Sequence, residues 1–169
     1  MKPIGIFYGS STGNTKKIAE NIKSNLEPGL VDIYDVKYAK ISDIEKYENI
    51  ILGSSTWGEG ILQVDFERFL YDVLKFANLK GKKIAIFGTG DSAVYPKSFA
   101  DSIGIIFEAL EGKGVIFVGE FPTEGYEFVS SLSIFGDKFV GLPLDDDSEE
   151  EQNKLRIALW TEILKTDMN

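Results

Sequence analysis

The chain has 169 residues, of which 43% are hydrophobic and 12% aromatic, enough for one well-buried core and too few for two ordinary domains. Its complete lack of cysteine and histidine excludes disulfides, thiolate or imidazole metal ligands, cysteine nucleophiles and Ser-His-Asp triads. The net charge of −9 opposes binding to nucleic acid and anionic lipid and favours basic protein partners, although it also serves solubility alone. Any chemistry must therefore come from carboxylates or from a bound cofactor.

The chain begins almost directly with an apolar segment, without the charged and apolar leader typical of exported proteins. It contains no apolar stretch of about 18 residues that could cross a membrane. We therefore expect a cytoplasmic protein that forms a single domain over residues 1–169.

The first apolar run, residues 4–8, predicts a buried β-strand that leads into a polar loop. A helix is predicted after the loop at residues 16–26, with Asn14 and Thr15 opening it. Free N–H groups and the positive end of the helix dipole meet at such a junction and favour an anion. Because the loop has no lysine or arginine, hydroxyls, amides and backbone groups would hold a phosphate there. The candidate residues are Ser10, Ser11, Thr12, Gly13, Asn14 and Thr15.

The composition of this loop leaves a second interpretation open, because clusters of Ser, Thr and Asn also cap ordinary helices. Its spacing excludes two common nucleotide motifs. Gly9 and Gly13 are one residue too close for the ATP- and GTP-binding loop, and Asn14 stands where that motif needs lysine. Ser11 occupies the second glycine position of the dinucleotide fingerprint, so that motif is absent as well.

Strands and helices alternate along the rest of the chain. Strands are predicted at residues 31–35, 49–54, 83–87 and 115–118, and helices at residues 64–74, 97–110 and from about 150 to 164, with a helical turn near Asp43. In the last helix, Leu155, Leu159 and Ile163 share one face, Trp160 is expected in the core, and the acidic run 145–149 places negative charge at the helix start. This alternation predicts an α/β fold with a parallel, doubly wound sheet.

Two further loops rich in Gly, Ser and Thr follow the third and fourth predicted strands. The second loop contains Ser55, Thr56, Trp57, Gly58 and Gly60, and the third contains Thr89, Gly90 and Asp91. Ligands of such sheets bind beyond the carboxyl ends of the strands, where all three loops begin. Three such loops at equivalent positions favour a phosphate-bearing ligand more strongly than the first loop does alone.

The segment 119–138 interrupts the alternation of strands and helices and has no clear period. We expect residues 115–118 and 139–142 to be two pieces of one edge strand, separated by this excursion of about 20 residues. Excursions of that length without regular structure are uncommon in a compact domain, so this one indicates a function or a family trait.

Trp57 and Tyr95 lie on the second and third loops, at the predicted ends of the strands. Large aromatic side chains on loops cost free energy unless they cover something, and a flat ring between them would bury most of its faces. Each could instead pack on its own loop. Together with the phosphate loop, they favour a nucleotide-like ligand with one phosphate and a broad ring system.

At this point the sequence resembles the flavodoxin family. The segments IFYGSSTGNT (6–15), STWGEG (55–60) and FGTGDSAVY (87–95) look like its phosphate loop and its two isoalloxazine loops. The segment GDKFVGLPLDDD (136–147), which follows an excursion beginning TEGYEF, looks like the long-chain subgroup. The resemblance implies bound FMN, a three-layer fold with a five-stranded parallel sheet of order 2-1-3-4-5 whose last strand is split by the insertion, and one-electron transfer between redox proteins.

The resemblance also implies a role for each candidate residue. Residues 10–15 would hold the phosphate, Ser55 and Thr56 would approach the ribityl chain, and Trp57 and Tyr95 would sandwich the ring. Thr89, Gly90 and Asp91 would border the pyrimidine edge, and Asp147 would reach a ribityl hydroxyl. Gly58 would let the peptide after Trp57 turn its carbonyl toward the flavin, because glycine tolerates positive φ. Gly60 completes the second loop.

The acidic composition adds two expectations. Carboxylates near the ring would lower the second reduction potential, and a monomer would associate with basic-surfaced redox partners in a salt-dependent way. The main alternative is an FMN-dependent NAD(P)H:quinone-type reductase of the same fold. A pyridine-nucleotide binder, from the G-x-G-x-x-A match at 88–93, and a phosphoacceptor receiver domain, which needs aspartates where residues 8–10 are Tyr-Gly-Ser, are weaker alternatives.

Overall fold

The computed structural model describes residues 1–169, and at their centre lies a mainly parallel β-sheet with flanking helices. The strands are β1 (Ile4–Gly9), β2 (Val31–Asp35), β3 (Asn49–Trp57), β4 (Ile61–Leu62), β5 (Lys83–Gly90), β6 (Ile116–Phe117), β7 (Phe121–Pro122), β8 (Ile134–Phe135), β9 (Lys138–Phe139) and β10 (Leu142–Asp145). The helices are α1 (Asn14–Asn25), α2 (Ile41–Ile44), α3 (Val64–Phe69), α4 (Asp101–Leu110) and α5 (Glu150–Asp167), with a 3-10 turn at Pro28–Leu30 and a π-helical turn at Leu70–Leu74.

The main sheet has the strand order β2-β1-β3-β5-β10, and all of these pairings are parallel. Consecutive residues of β1 and β5 are buried, because helices cover both faces of the sheet. Helices α1 and α5 pack on each other on one side. The predicted three-layer, doubly wound fold is therefore confirmed, with β4 as an additional short strand that pairs antiparallel with β3.

The edge strand is split in two, as the sequence predicts. Strand β6 pairs with the start of β5, through Ile116 opposite Lys83, and β10 pairs with its end, through Leu142 opposite Phe87. Counting β6 and β10 as one strand and omitting β4 gives the predicted order 2-1-3-4-5.

The predicted position of the second piece, residues 139–142, is wrong. Phe139 belongs instead to a small antiparallel sheet of order β7-β9-β8 inside the excursion. Its ring is fully buried among Phe99, Tyr126 and Phe128, so aromatic packing draws it away from the sheet edge.

Two helix predictions need correction. The helix predicted at 64–74 changes at Leu70 into a π-helical turn, in which Lys75 N donates to Leu70 O at 3.1 Å. The helix predicted from residue 97 begins only at Asp101, because Ala100 has a left-handed backbone with φ of +51°. Helix α1 begins at Asn14, where the sequence predicts that it opens.

Helix α5 is longer than predicted and presents a different face to the core. Leu155 and Leu159 are about half exposed, whereas Ile157, Trp160 and Leu164 are buried. The inward face also carries Arg156, a buried residue whose guanidinium lies 3.9 Å from the centre of the Tyr126 ring. The prediction for Trp160 is confirmed, and its Nε1 donates to Gly119 O at 2.7 Å.

The helices of the chain are too short or too polar to cross a membrane. The carboxyl ends of β1, β3, β5 and β10 lie along one edge of the sheet, since these strands are parallel neighbours. The polar segments that follow the strands therefore meet at that edge, where the sequence places the ligand.

Candidate functional site

The first segment at this edge is the loop between β1 and α1. Gly13 adopts φ of +89°, and its N–H donates to Ser10 Oγ at 3.0 Å. The backbone amides of Thr12, Asn14 and Thr15 have no acceptor within the protein. Thr15 is only 2% exposed, yet its hydroxyl makes no hydrogen bond within the protein. The loop thus collects unpaired donors at the positive end of a 12-residue helix, and such an arrangement can hold an anion.

The second segment is a β-hairpin rather than the loop that the sequence predicts. Residues 55–57 continue β3, and Thr56 and Trp57 pair with Leu62 and Ile61 of β4. The turn itself contains Gly58 with φ of +50° and Gly60 with φ of +102°. Pairing with β4 extends β3 beyond the edge of the main sheet, because β4 provides hydrogen-bond partners for the backbone groups of Thr56 and Trp57.

Trp57 projects from this hairpin, and its side chain is 47% exposed. Its Nε1 donates to Ser55 Oγ at 2.9 Å, which fixes the orientation of the indole. A large aromatic surface held rigidly in solvent is suited to covering a flat ligand.

The hairpin is fastened to the start of α4 by hydroxyl groups. Thr56 Oγ1 donates to Ser102 Oγ at 2.9 Å and accepts from Ser102 N at 3.1 Å. Ser102 Oγ in turn donates to Ser54 O at 3.0 Å. The Thr56 hydroxyl is therefore engaged inside the protein, and Ser102 is a supporting residue that the sequence interpretation missed.

The third segment also begins inside a strand, because Thr89 and Gly90 are the buried last residues of β5. Asp91 shapes the turn that follows. Its Oδ1 accepts hydrogen bonds from Ala93 N at 3.1 Å and Val94 N at 3.0 Å, and its carbonyl accepts from Tyr95 N at 2.8 Å. These bonds hold Tyr95 at the surface, where its ring is 38% exposed.

The hairpin and the third segment lie next to each other. A shallow depression is lined by Glu59 from the hairpin and by Tyr95 and Ser98 from the third segment. A Cβ on Gly60 would lie 2.9 Å from Asp101 Oδ2 and 3.5 Å from the Ser98 Cβ, so glycine permits this close approach. The structure thus brings the second and third predicted loops together.

The acidic run after β10 lies beside the other segments. Asp145 is buried and accepts from Ser92 N at 3.1 Å and from Asp147 N at 3.0 Å. Asp146 N donates to Gly90 O at 2.8 Å, and Asp146 Oδ1 accepts from Asn14 Nδ2 at 3.4 Å. The run therefore connects the end of β5 to the start of α1.

Negative charge dominates this part of the edge. Desolvation by the surrounding segments, followed by the like charges of Asp91 and Asp145, raises the pKa of Asp146 above its ordinary value. Asp147 is exposed and lies next to Asp146. The acidic run 145–149 directly precedes α5, as predicted, and its last residue, Glu149, is the N-cap of that helix.

A second residue missed at the sequence level is Gln63, which is fully buried directly before α3. Its Oε1 accepts from Phe66 N at 2.9 Å, and its Nε2 donates to Ser11 Oγ at 3.1 Å. These two bonds connect the phosphate loop to α3. In the sequence, the signal for Gln63 was a single glutamine between two apolar residues at the start of a predicted helix.

Comparisons with known proteins agree with this arrangement. The family model described as flavodoxin matches residues 6–160. A flavodoxin from Synechocystis is 42% identical over 166 residues, which cover 98% of this chain and 97% of the relative. Flavodoxin 2 from Escherichia coli K12 is 40% identical over 167 residues, covering 98% and 96%. The crystal structure of a Fusobacterium nucleatum flavodoxin bound to flavin mononucleotide superimposes with a TM-score of 0.92 at 29% identity, covering 99% of both chains. With this fold and these matches along nearly its whole length, the chain belongs to the flavodoxin family.

Proposed function

We propose that this protein is a low-potential one-electron carrier that uses one non-covalently bound FMN and exchanges electrons with redox partner proteins. Its membership in the flavodoxin family supports this function, and so does the FMN in a structure of the same fold. The observation that carries the proposal is a phosphate loop of unpaired donors beside an edge with exposed aromatic and acidic side chains. We assign residues 1–169 to a single FMN-binding domain.

The phosphate would lie in the loop of residues 10–15. The free amides of Thr12, Asn14 and Thr15 and the unpaired Thr15 hydroxyl are donors that a phosphate requires. The dipole of α1 adds a favourable field. The loop itself contains no lysine or arginine, and Lys16 and Lys17 follow it as exposed residues of the helix.

The flavin ring would lie between Trp57 and Tyr95, which both segments hold partly exposed. Ser55 and Thr56 lie on the strand that leads to Trp57, and Gly58 and Gly60 form the turn after it. On the other side, Thr89, Gly90 and Asp91 would border one edge of the ring, and Asp147 would approach the ribityl chain. Aromatic cover of both faces leaves only an edge of the ring for partner proteins.

Bound FMN supplies the electron chemistry, since it accepts and releases electrons one at a time. The residues of the chain control how favourable the second electron is. Asp91 and Asp145 place negative charge beside Asp146 at this edge, and that charge opposes further negative charge on a ligand there. We therefore expect a low second reduction potential.

The same acidity indicates the kind of partner. With a net charge of −9, the protein should associate as a monomer with basic surfaces of reductases and electron acceptors, and this association should weaken with salt. A cytoplasmic location belongs to the same proposal. The same net charge opposes binding to nucleic acid and anionic lipid.

The visible spectrum of the purified protein tests the function most directly. We expect a yellow protein with flavin absorption, whose colour returns when apoprotein is mixed with FMN. The same preparation should oxidise NAD(P)H only negligibly without a separate reductase, since brisk turnover would indicate the quinone-type reductase instead. A protein that stays colourless after incubation with FMN would refute the proposal.

A further inference from the structure

Gln63 contacts three parts of the edge at once. Its backbone N–H donates to Ser54 Oγ at 3.3 Å on β3. Its side-chain Nε2 donates to Ser11 Oγ in the phosphate loop at 3.1 Å and to Asp65 Oδ2 at 3.1 Å. Its Oε1 accepts from Phe66 N at 2.9 Å. Gln63 is fully buried, so its bonds to Ser54 and Phe66 are shielded from water, whereas its bonds to Ser11 and Asp65 are partly buried.

The orientation of the Gln63 amide follows from the chemistry of its neighbours. The Phe66 backbone N–H can only donate, so the oxygen of the amide must face it. The nitrogen must then face Asp65, whose carboxylate oxygen accepts one N–H, and Ser11, which receives the other. The amide therefore always presents a donor to the phosphate loop.

This orientation determines what the Ser11 hydroxyl can do. A hydroxyl has one hydrogen to donate, and Ser11 Oγ already accepts from Gln63. The Ser11 hydrogen has no acceptor within the protein, so it is free for an anion in the loop. Accepting a hydrogen bond also makes a hydroxyl a stronger donor, because bonds in a chain polarise one another.

We infer that Gln63 is a positioning residue for phosphate recognition, which turns the Ser11 hydroxyl toward the phosphate of the ligand. The inference rests on the proposed function, because it assumes that the loop holds the FMN phosphate. It predicts a specific role: Gln63 strengthens the binding of FMN but not the binding of riboflavin, which has the same ring and no phosphate.

Gly9 provides the space for this contact. A Cβ on Gly9 would lie 2.3 Å from Gln63 Oε1 and 2.9 Å from the Phe66 Cβ, so a side chain there would expel the amide. The glycine at the end of β1 and the glutamine before α3 therefore form a matched pair, although 54 positions separate them in the sequence.

The test compares dissociation constants of FMN and riboflavin, measured by quenching of flavin fluorescence on titration with apoprotein. The variant Gln63→Met removes the donor while keeping a long side chain. We expect its FMN constant to rise about tenfold while its riboflavin constant changes less than about twofold. Equal loss of both ligands would mean that Gln63 only supports the fold, and this result would overturn the inference.

The variant Gln63→Glu keeps an oxygen for Phe66 N but presents an acceptor to Ser11, so the hydroxyl hydrogen should turn inward. We expect the dissociation constant of FMN to rise more than in Gln63→Met, and the dissociation constant of riboflavin to stay nearly the same. The exposed Gln152 at the start of α5 provides matched controls, Gln152→Met and Gln152→Glu, which should leave the preference unaltered.

A double-mutant cycle with Ser11→Ala makes the inference independent of how well any Gln63 variant folds. Ser11→Ala alone should lower the preference for FMN over riboflavin about as much as Gln63→Met, and combining them should add little. Unchanged preference in Ser11→Ala would overturn the inference. Wild-type apoprotein that binds neither flavin would instead refute the proposed function, so the two failures can be told apart.

Discussion

The phosphate loop and the aromatic-acidic rim, the latter comprising Trp57, Tyr95, Asp91 and residues 145–147, lie at one edge of the sheet but are built differently. The loop offers free amide and hydroxyl donors supported by the buried Gln63. The rim offers partly exposed rings and a group of carboxylates, and in two of these, Asp91 and Asp145, Oδ1 accepts hydrogen bonds from backbone N–H groups such as Ala93 N and Ser92 N.

The difference separates two tasks that one cofactor imposes. Donors that stay unpaired without a ligand contribute to affinity, because binding satisfies them. Carboxylates fixed by the backbone cannot move away from a ring that becomes negative, so they affect the reduction potential. If this division is correct, substitutions in the phosphate loop should change the dissociation constant of FMN but not that of riboflavin. Substitutions of the rim carboxylates should change the midpoint potentials.

The largest expected effect is the loss of a ring contact. Trp57→Ala should weaken FMN and riboflavin binding alike by about 2 kcal/mol, or roughly thirtyfold, because both ligands share the ring that the indole covers. Fluorescence titration of the apoprotein with each ligand measures it. Tyr71→Ala removes a similarly exposed aromatic side chain at another place and serves as the control. A loss confined to FMN would contradict the division of tasks.

A smaller and selective effect is expected in the phosphate loop. Thr15→Val keeps the shape of the side chain and removes its unpaired hydroxyl, so FMN binding should weaken by about 1.5 kcal/mol, or roughly tenfold, and riboflavin binding should not change. The same titrations apply. Thr166→Val, on the exposed face at the end of α5, is a control of identical chemistry. Parallel weakening of both ligands would count against a phosphate contact.

Gly58 tests the conformational freedom of the hairpin. With φ of +50° and no atom within 4 Å of an added Cβ, Gly58→Ala changes backbone preference alone, at a cost of about 1 kcal/mol. If the turned peptide supports the cofactor between the first and second electrons, the gap between the two midpoint potentials should narrow by several tens of mV, since about 59 mV corresponds to a tenfold change. Potentiometric titration measures both midpoints.

Gly136→Ala is the matched control for this change. Gly136 has φ of +69°, lies in similarly open space and belongs to the excursion far along the chain from the hairpin. It should lower stability by a comparable amount and leave both midpoints in place. A gap that is the same in Gly58→Ala as in the wild type would rule out the role assigned to the turn.

The smallest effect concerns a single charge of the rim. Asp146→Asn should raise the second midpoint by roughly 20 to 35 mV, which corresponds to a charge about 10 Å away at an effective dielectric of about 40 to 80. The first midpoint should move less, because less negative charge is present on the ligand. Glu162→Gln on the exposed surface of α5 controls for net charge. If the second midpoint potential of Asp146→Asn equals that of the wild type, the charge of Asp146 does not lower this potential.

The same variant has a pH signature in the apoprotein. Because the folded-state pKa of Asp146 is raised, its contribution to stability is present below the ordinary value of 3.8 and is lost as the pH rises through the folded pKa. Asp146→Asn should therefore unfold at higher urea concentration than the wild type at pH 7 and at the same concentration near pH 3. If Asp146→Asn and the wild type unfolded at the same urea concentration at pH 7 as well as near pH 3, this result would contradict the raised pKa of Asp146.

Local patterns explain why much of the fold could be predicted. The apolar runs at β1, β3 and β5 predict buried parallel strands. The Gly-, Ser- and Thr-rich segments that follow these strands indicate the edge of the sheet at which a ligand would bind. Predictions failed where partners distant in the chain decide the structure. Phe139 packs in an aromatic cluster instead of pairing at the sheet edge. Leu155 and Leu159 are half exposed, because Ile157 and Trp160 occupy the core instead.

Taken by itself, the sequence determined the class of fold through its alternating apolar strands and amphipathic helices, which depend on neighbours within one strand or helix turn. The order of the main strands came from the resemblance to flavodoxins and not from any local pattern. Only the tertiary structure decided that residues 55–57 extend β3 as a hairpin and that Ser102 and Gln63 support the two halves of the edge. Their hydrogen bonds join positions about 50 residues apart, and no local pattern encodes such a contact.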